Sequence, residues 1–270
     1  GKIEFINGDI CDYEVCLKST SGVDFVLHNA ALGSVSRSII EPLRTNRVNV
    51  DGFLNVLHAA KENRVKRFVY ASSSSVYGDD LSMPKTELNT GNQLSPYAVS
   101  KFVNEKYAKV YSKVYNLETV GLRYFNVFGP RQNVAGPYAA VIPRFIDAML
   151  KFNHCNIYGN GENTRDFTFV ENVVLANILA AVSEKIKFQS PVINIAYGNT
   201  VSINVLFEML SKITGNKLKP NYVEERIGEI KDSFADISLA QKLLDYNPKI
   251  DLEQGLSITY DWFKKTLMSF

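Results

Sequence analysis

Short β-branched strands alternating with longer amphipathic stretches predict an α/β protein, a doubly wound parallel sheet with a smaller C-terminal region interleaved with it. Three observations carry this. Apolar runs such as Val23-Asp24-Phe25-Val26-Leu27, Arg67-Phe68-Val69-Tyr70 and Glu118-Thr119-Val120-Gly121-Leu122 are separated by segments of helical period. Each run ends in polar or small residues, namely His28-Asn29-Ala30-Ala31, Ala71 to Ser75 and Arg123-Tyr124-Phe125-Asn126. After Asn126 the alternation gives way to turn-rich sequence. Strand–helix alternation covers a parallel sheet on both faces, and ligands bind beyond its C-terminal strand ends.

Taken in order, Ile3-Glu4-Phe5-Ile6 reads as a first strand, closed by Asn7-Gly8-Asp9, and a helix follows near 12–20. The strand at 23–27 leads to a long helical pattern at 45–63, the strand at 67–70 to a helix at 97–116, and the strand at 118–122 to the turn-rich stretch. Phe128-Gly129-Pro130-Arg131-Gln132, Gly136-Pro137 and Tyr158-Gly159-Asn160-Gly161 punctuate that stretch. Pro191 to Ala196 reads as one more strand of the main sheet, and helical patterns near 202–214, 237–245 and 252–267 complete the chain. The expected division is therefore 1–127 with 165–198 in one domain, and 128–164 with 199–270 in the other.

Composition narrows the classes. The 270 residues are 46% hydrophobic and 21% charged with net charge +2, a soluble globular balance with no basic stripe for nucleic acid. No apolar run approaches a membrane span and no signal-peptide pattern opens the chain. Cys11, Cys16 and Cys155 form no Cys-x2-Cys pair, and His28, His58 and His154 are scattered, so no metal site is expected. A reducing cytoplasm fits this cysteine usage. Arg64-Val65-Lys66-Arg67 is read as a solvated cluster complementing the end of the preceding helix.

The chemistry-bearing feature is a serine cluster, Ser72 to Ser75, some twenty residues before Ser95-Pro96-Tyr97-Ala98-Val99-Ser100-Lys101. Serine followed by proline is a helix start, which places Tyr97 and Lys101 one turn apart on one face. A tyrosine of ordinary pKa near 10 is a poor base at neutral pH, and the adjacent ammonium is expected to lower it. Tyr260-x3-Lys264 repeats the spacing without upstream serines and reads as a packing helix.

The motifs Asn7-Gly8-Asp9-Ile10, His28-Asn29-Ala30-Ala31, Asn49-Val50-Asp51-Gly52, Ser72 to Gly78, Tyr97-x3-Lys101, Arg123 to Pro130 and Thr164-Arg165-Asp166-Phe167 together resemble the extended short-chain dehydrogenase/reductase family of nucleotide-sugar epimerases and dehydratases. The runs Ala30 to Ile39 and Tyr138 to Pro143 look most like its bacterial UDP-N-acetylglucosamine 4-epimerase branch, which serves surface-polysaccharide synthesis. The resemblance implies a Rossmann-type sheet, NAD as cofactor, a UDP-sugar substrate and a homodimer joined through the helices near 45–63 and 97–116. It implies inversion at C4 through a 4-keto sugar. Tyr97 is then the proton acceptor, Ser73 shares the hydrogen bond to the 4-hydroxyl, and Lys101 holds the nicotinamide ribose. Asp9 and Ile10 are expected against adenine, with Ala30, Ala31, Asn49, Ser72 and Tyr124 as further cofactor contacts. Asp9 could equally cap the helix that follows it.

For the substrate, the resemblance assigns Arg165 and Arg226 to the diphosphate, since guanidinium matches phosphate oxygens in a fork. It assigns Gly33, Ser34, Ser74, Ser75, Asn126, Gln132, Ala140 and Ser233 to the sugar. Ser233 matches a position where a bulky tyrosine restricts some family enzymes to UDP-glucose and UDP-galactose, and a serine leaves room for an N-acetyl group. The expected pair is therefore UDP-GlcNAc and UDP-GalNAc, with UDP-GlcNAcA/GalNAcA or UDP-glucose/galactose as alternatives. Family dehydratases carry acidic residues where this chain has Ser73 and Ser74, which disfavours dehydration. The family's Gly-x-x-Gly-x-x-Gly loop, which seats the cofactor pyrophosphate at a helix N-terminus, has no match in these residues. The expectation is a piece of a longer enzyme lacking its first βαβ, with negligible NAD affinity by itself; a non-catalytic UDP-sugar-binding remnant is the alternative.

Overall fold

The computed structural model describes residues 3–133, 140–187, 190–225 and 232–267. Its first half contains α1 (Tyr13–Ser19), β1 (Phe25–His28), α2 (Val35–Ile40), α3 (Pro42–Asn46), α4 (Phe53–Glu62), β2 (Arg67–Ser73), α5 (Pro96–Tyr115) and β3 (Glu118–Tyr124). A π-helical turn, Arg47–Gly52, joins α3 to α4, and a 3-10 turn, Ser74–Tyr77, follows β2. The second half contains β4 (Val127–Phe128), α6 (Val141–Leu150), β5 (Cys155–Tyr158), β6 (Thr164–Arg165), β7 (Thr168–Phe169), α7 (Val170–Val182), β8 (Val192–Ile195), β9 (Val201–Ser202), α8 (Ile203–Thr214), β10 (Pro220–Val223), β11 (Asp232–Ser233), α9 (Ser238–Leu244) and α10 (Leu252–Leu267).

The main sheet has the order β1-β2-β3-β8, and every pairing in it is parallel. Successive strand residues point to opposite faces, so Phe68 and Tyr70 pack with Phe53, Leu57 and Ala108 on one side. Val69, Val120, Leu122, Ile193 and Ile195 pack with Ala176 and Ala180 of α7 on the other. Gly121 is required where it sits, because a Cβ there would lie 2.6 Å from the Tyr70 hydroxyl. A separate apolar cluster gathers Ile142, Phe145 and Ile146 of α6, Ile157 of β5, Leu206 and Leu210 of α8, and Leu256 and Phe263 of α10.

Three expectations are corrected. Ile3 to Ile6 is not a strand: Ile3 and Phe5 are 94% and 85% exposed, and no described strand lies alongside to supply a ladder. Ala240, Leu244 and Tyr246, in the stretch assigned to the second region, join the core of the main sheet, because α9 packs against β8. Arg67 is not solvated. Its guanidinium pairs with Glu118 at 2.7 Å and donates to the carbonyls of Ala180, Ala181, Ser183 and Ile186. It does complement a helix end, that of α7 rather than of the helix before it. Tyr260-x3-Lys264 lies on α10, with Tyr260 packed against the second cluster.

Candidate active site

The catalytic helix begins as its sequence requires. Ser95 accepts a hydrogen bond from the Ala98 amide at 3.1 Å and Pro96 occupies the first turn. From there Tyr97, Lys101 and Glu105 recur every four residues on the face turned to β2. Three consecutive β2 residues meet them. The Lys101 ammonium donates to the Ala71 carbonyl at 2.7 Å, the Ser72 hydroxyl donates to Glu105 at 2.6 Å, and the Ser73 hydroxyl stands beside the Tyr97 phenol. Arg123 of β3 closes the set with a two-pronged pair to Glu105, both contacts 2.9 Å and both partners buried.

Ser73 is itself the acceptor of the Ser75 amide and hydroxyl, at 3.2 and 3.0 Å. Held this way, the Ser73 hydroxyl beside the phenol pulls the tyrosine pKa down. Desolvation outweighs it, so the pKa of Tyr97 lies above its ordinary value. This corrects the expected direction. The Lys101 ammonium sits 6.0 Å from the Tyr97 ring centre and is committed to a backbone carbonyl, while the helix buries the phenol. Burial also lowers Lys101 to about 8. His28, at the end of β1, is packed against Phe53 and Phe68 and driven down to about 3 by burial and then by Lys101, so it is a neutral core residue.

Asn49 sits in the π-helical turn, where one extra residue per turn re-aims a side chain. Its amide exchanges hydrogen bonds with both backbone groups of Leu32, at 2.8 and 3.2 Å, and donates to Ser100 on the catalytic helix. It therefore fastens the Ala30–Ser34 loop to α5. Ala30 and Ala31 lie in that loop, Gly33 has open space where a Cβ would stand, and Ser34 caps α2 through the Arg37 amide. Ser72 turns its hydroxyl into the core, so its side chain is spent on Glu105. Tyr124 bonds Asn29 and Asn177 through its hydroxyl. Asp9 is exposed and accepts the Cys11 amide at 2.9 Å; the cap of α1 is Asp12, which removes capping as the role of Asp9. Ile10 packs against Gly52 at the base of α4.

The residues present fit the reactive end of NAD. Lys101 is a buried ammonium with one hydrogen bond among the described residues, which leaves donors for ribose hydroxyls, and it lies beside Tyr97 at the C-terminal ends of β1 to β3.

A cavity of about 280 Å³ adjoins this edge, lined by Asn126, Phe128, Ala140, Arg144, Asn156, Tyr158, Asn163 and Arg165 among others. Asn126, held at φ +36°, donates to the Asp166 carbonyl and to the Ser233 hydroxyl, and Ser233 pairs in register with Arg165. Gln132 reaches the Val127 carbonyl and keeps a buried oxygen without a partner among the described residues. Ser74 opens the 3-10 turn beside Ser73. Arg226 lies outside the described residues, as does most of the Tyr138–Pro143 run's start. Among the lining residues that escaped the sequence reading are Asn163, Tyr158, Asn156 and Arg144, whose guanidinium lies 5.6 Å from the Tyr158 ring centre. Tyr158 directly precedes Gly159-Asn160-Gly161, a turn already marked as a landmark.

A tyrosine–lysine pair served by a serine, set at the C-terminal edge of a parallel sheet, defines a pyridine-nucleotide enzyme site, and the neighbouring cavity with its arginines suits a phosphorylated ligand. Comparison with known proteins agrees. The model of the NAD dependent epimerase/dehydratase family matches residues 1–196. A putative UDP-glucose 4-epimerase of Methanocaldococcus jannaschii is 37% identical over 265 residues, 97% of this chain and 85% of its own. The structure of a UDP-N-acetylglucosamine 4-epimerase from Methanobrevibacter ruminantium, in complex with UDP-N-acetylmuramic acid, aligns with TM-score 0.92 at 42% identity, over 97% of this chain and 83% of that one. A Bacillus cereus UDP-glucuronic acid 4-epimerase, in complex with UDP-glucuronic acid and NAD, aligns with TM-score 0.88 at 34% identity, over 97% and 82%. The chain belongs to the NAD dependent epimerase/dehydratase family. It is an NAD-dependent nucleotide-sugar 4-epimerase, an enzyme of the isomerase class.

Proposed function

We propose that the enzyme interconverts UDP-GlcNAc and UDP-GalNAc, and that its product feeds surface-polysaccharide precursor synthesis in the cytoplasm. The observation that carries this is Ser233, a small side chain where the resemblance places a bulky tyrosine in enzymes restricted to UDP-glucose, hydrogen-bonded to Asn126 and in register with Arg165, both of which line the cavity. The open space at Gly33 supports the same reading. Arg165 takes the diphosphate, and Tyr158 and Asn156 line the cavity for the base. We divide the chain accordingly, 1–127 with 165–198 for the cofactor and 128–164 with most of 199–270 for the sugar nucleotide.

NAD, when bound, supplies the hydride acceptor and donor. Tyr97 takes the 4-hydroxyl proton, and Ser73, held beside the phenol by Ser75, shares the hydrogen bond to that hydroxyl. Lys101 secures the cofactor ribose and favours the phenolate once the sugar approaches. Burial raises the phenol, so the free protein holds Tyr97 protonated. A homodimer is supported by α5, where Val99, Tyr107, Val110 and Val114 leave an exposed apolar stripe at helical spacing; replacement of Val110 by glutamate should lower the sedimentation mass to that of a monomer.

Turnover of the full-length enzyme on UDP-GlcNAc and UDP-glucose tests the sugar assignment. Comparable or better kcat/KM on UDP-GlcNAc is expected, with Ser233→Tyr abolishing that activity while keeping UDP-glucose; a strong preference of the unaltered enzyme for UDP-glucose overturns it.

A further inference from the structure

Asp166 is fully buried, 0% exposed, and has no ion-pair partner among the described residues. Instead its carboxylate gathers backbone amides from two distant segments. Oδ1 accepts from Tyr197 at 3.1 Å, Gly198 lies 3.3 and 3.2 Å from the two oxygens, and Oδ2 accepts from Ala235 at 3.5 Å. Tyr197 and Gly198 belong to the loop after β8 of the main sheet, whereas Ala235 follows β11 of a separate three-stranded sheet of order β11-β6-β9. The backbone of Asp166 continues the knot: its amide donates to the Ser233 carbonyl at 2.8 Å, and its carbonyl accepts from Asn126. That same Asn126 amide reaches the Ser233 hydroxyl.

A buried carboxylate is costly unless it is fully hydrogen-bonded, and a leucine or asparagine would fill such a position without needing three backbone N–H donors. Asparagine in particular would turn an NH2 group against backbone N–H donors. β6 and β11 are already paired by their ladder; what the carboxylate adds is to tie that pair, through Ala235, to the Tyr197–Gly198 loop at the edge of the main sheet. Arg165 is the residue before it, and Ser233 is its backbone partner.

We infer that Asp166 is a positioning residue for substrate recognition, holding the diphosphate arginine and the sugar-facing Ser233 at a set distance from each other and from Asn126. The inference rests on the UDP-sugar reading of the cavity. It assigns Asp166 no contact with substrate and no part in proton transfer, since Ser73, Tyr97 and Lys101 are anchored separately by β2 and Glu105.

The test is steady-state kinetics of the full-length enzyme with Asp166→Asn, together with the calorimetric affinity for UDP. KM for the UDP-sugar should rise about ten-fold with kcat within two-fold, and the Kd for UDP should rise in parallel. A general weakening of the fold would lower Tm and the active fraction, hence kcat, while leaving KM in place, so the KM-against-kcat split separates the two. If Asp166→Asn does not fold, Gly198→Ala disturbs the same knot from the donor side. Gly198 has φ +82° and an added Cβ would stand 3.1 Å from Ile237, so the loop must shift, and the same split is expected. A KM unchanged in the folded variants, or a fall in kcat alone, overturns the inference. Failure of the unaltered enzyme to bind UDP overturns instead the reading of the cavity on which it rests.

Discussion

Replacing Lys101 with methionine should stabilise the cofactor-free protein while abolishing its chemistry. Lys101 is 3% exposed, faces no carboxylate within ion-pair distance among the described residues, and makes one hydrogen bond, to Ala71. Burial lowers it from 10.5 to about 8, so it is still largely charged at neutral pH. That difference corresponds to about 3 kcal/mol of penalty for folding with the charge inside. Methionine removes the penalty and keeps the packing, but strands the Ala71 carbonyl, at a cost of about 1 kcal/mol. The net gain is about 2 kcal/mol at pH 7, or roughly 4–8 °C in Tm for a chain of this size. The sign with pH follows from the depressed folded value. Between about 8 and 10.5 the unfolded lysine holds a proton that the folded one has released, so the unaltered protein gains stability as pH rises through this window. Melts of both proteins from pH 7 to pH 10.5 should therefore converge. A variant less stable at pH 7, or an advantage constant across the range, would refute the reasoning.

Three further outcomes are expected. Ser73→Ala should lower kcat about 100-fold, the usual worth of a positioned proton-transfer partner, while the calorimetric affinity for UDP stays unchanged because UDP lacks the hexose and its 4-hydroxyl. Arg67→Met should lower unfolding free energy by about 3–5 kcal/mol, read from the denaturant midpoint, because Glu118 and four carbonyls at the end of α7 lose their shared donor. Gly78→Ala should sharply reduce soluble yield and Tm: Gly78 has φ +54°, and an added Cβ would overlap the Asn92 carbonyl.

The long elements were legible because each advertises itself locally. Ser95-Pro96 starts α5 and Asn116, in the left-handed region at φ +56°, ends it, so the Tyr97–Lys101 face could be placed from sequence. The two-residue strands β4, β6, β7, β9 and β11 carry no periodicity, and the cavity they frame stayed out of sight, Tyr158 and Arg144 included. Charges misled where their partners are distant in the chain. Arg67 looks solvated among Arg64 and Lys66, yet its carboxylate partner is Glu118, and Glu105 meets Arg123 only once helix and strand pack. The proximity of Lys101 to Tyr97 was readable; that burial would outweigh it in the phenol was not, because desolvation belongs to the folded surroundings and not to spacing.

The rungs between β2 and α5 mean that the reacting groups hang from a strand and a helix whose mutual register is locked by Glu105 and Arg123, away from the cavity. Arg165 and Ser233, the residues proposed to meet the sugar nucleotide, hang from Asp166 and Asn126 instead. Two such independent anchorages allow one to drift while the other is held. Relatives named for glucose, glucuronate and N-acetylglucosamine nucleotides share the one fold. In a scaffold fastened this way, and on the proposed reading of Ser233, a new sugar calls for changes around Ser233 and leaves the rungs between β2 and α5 as they were.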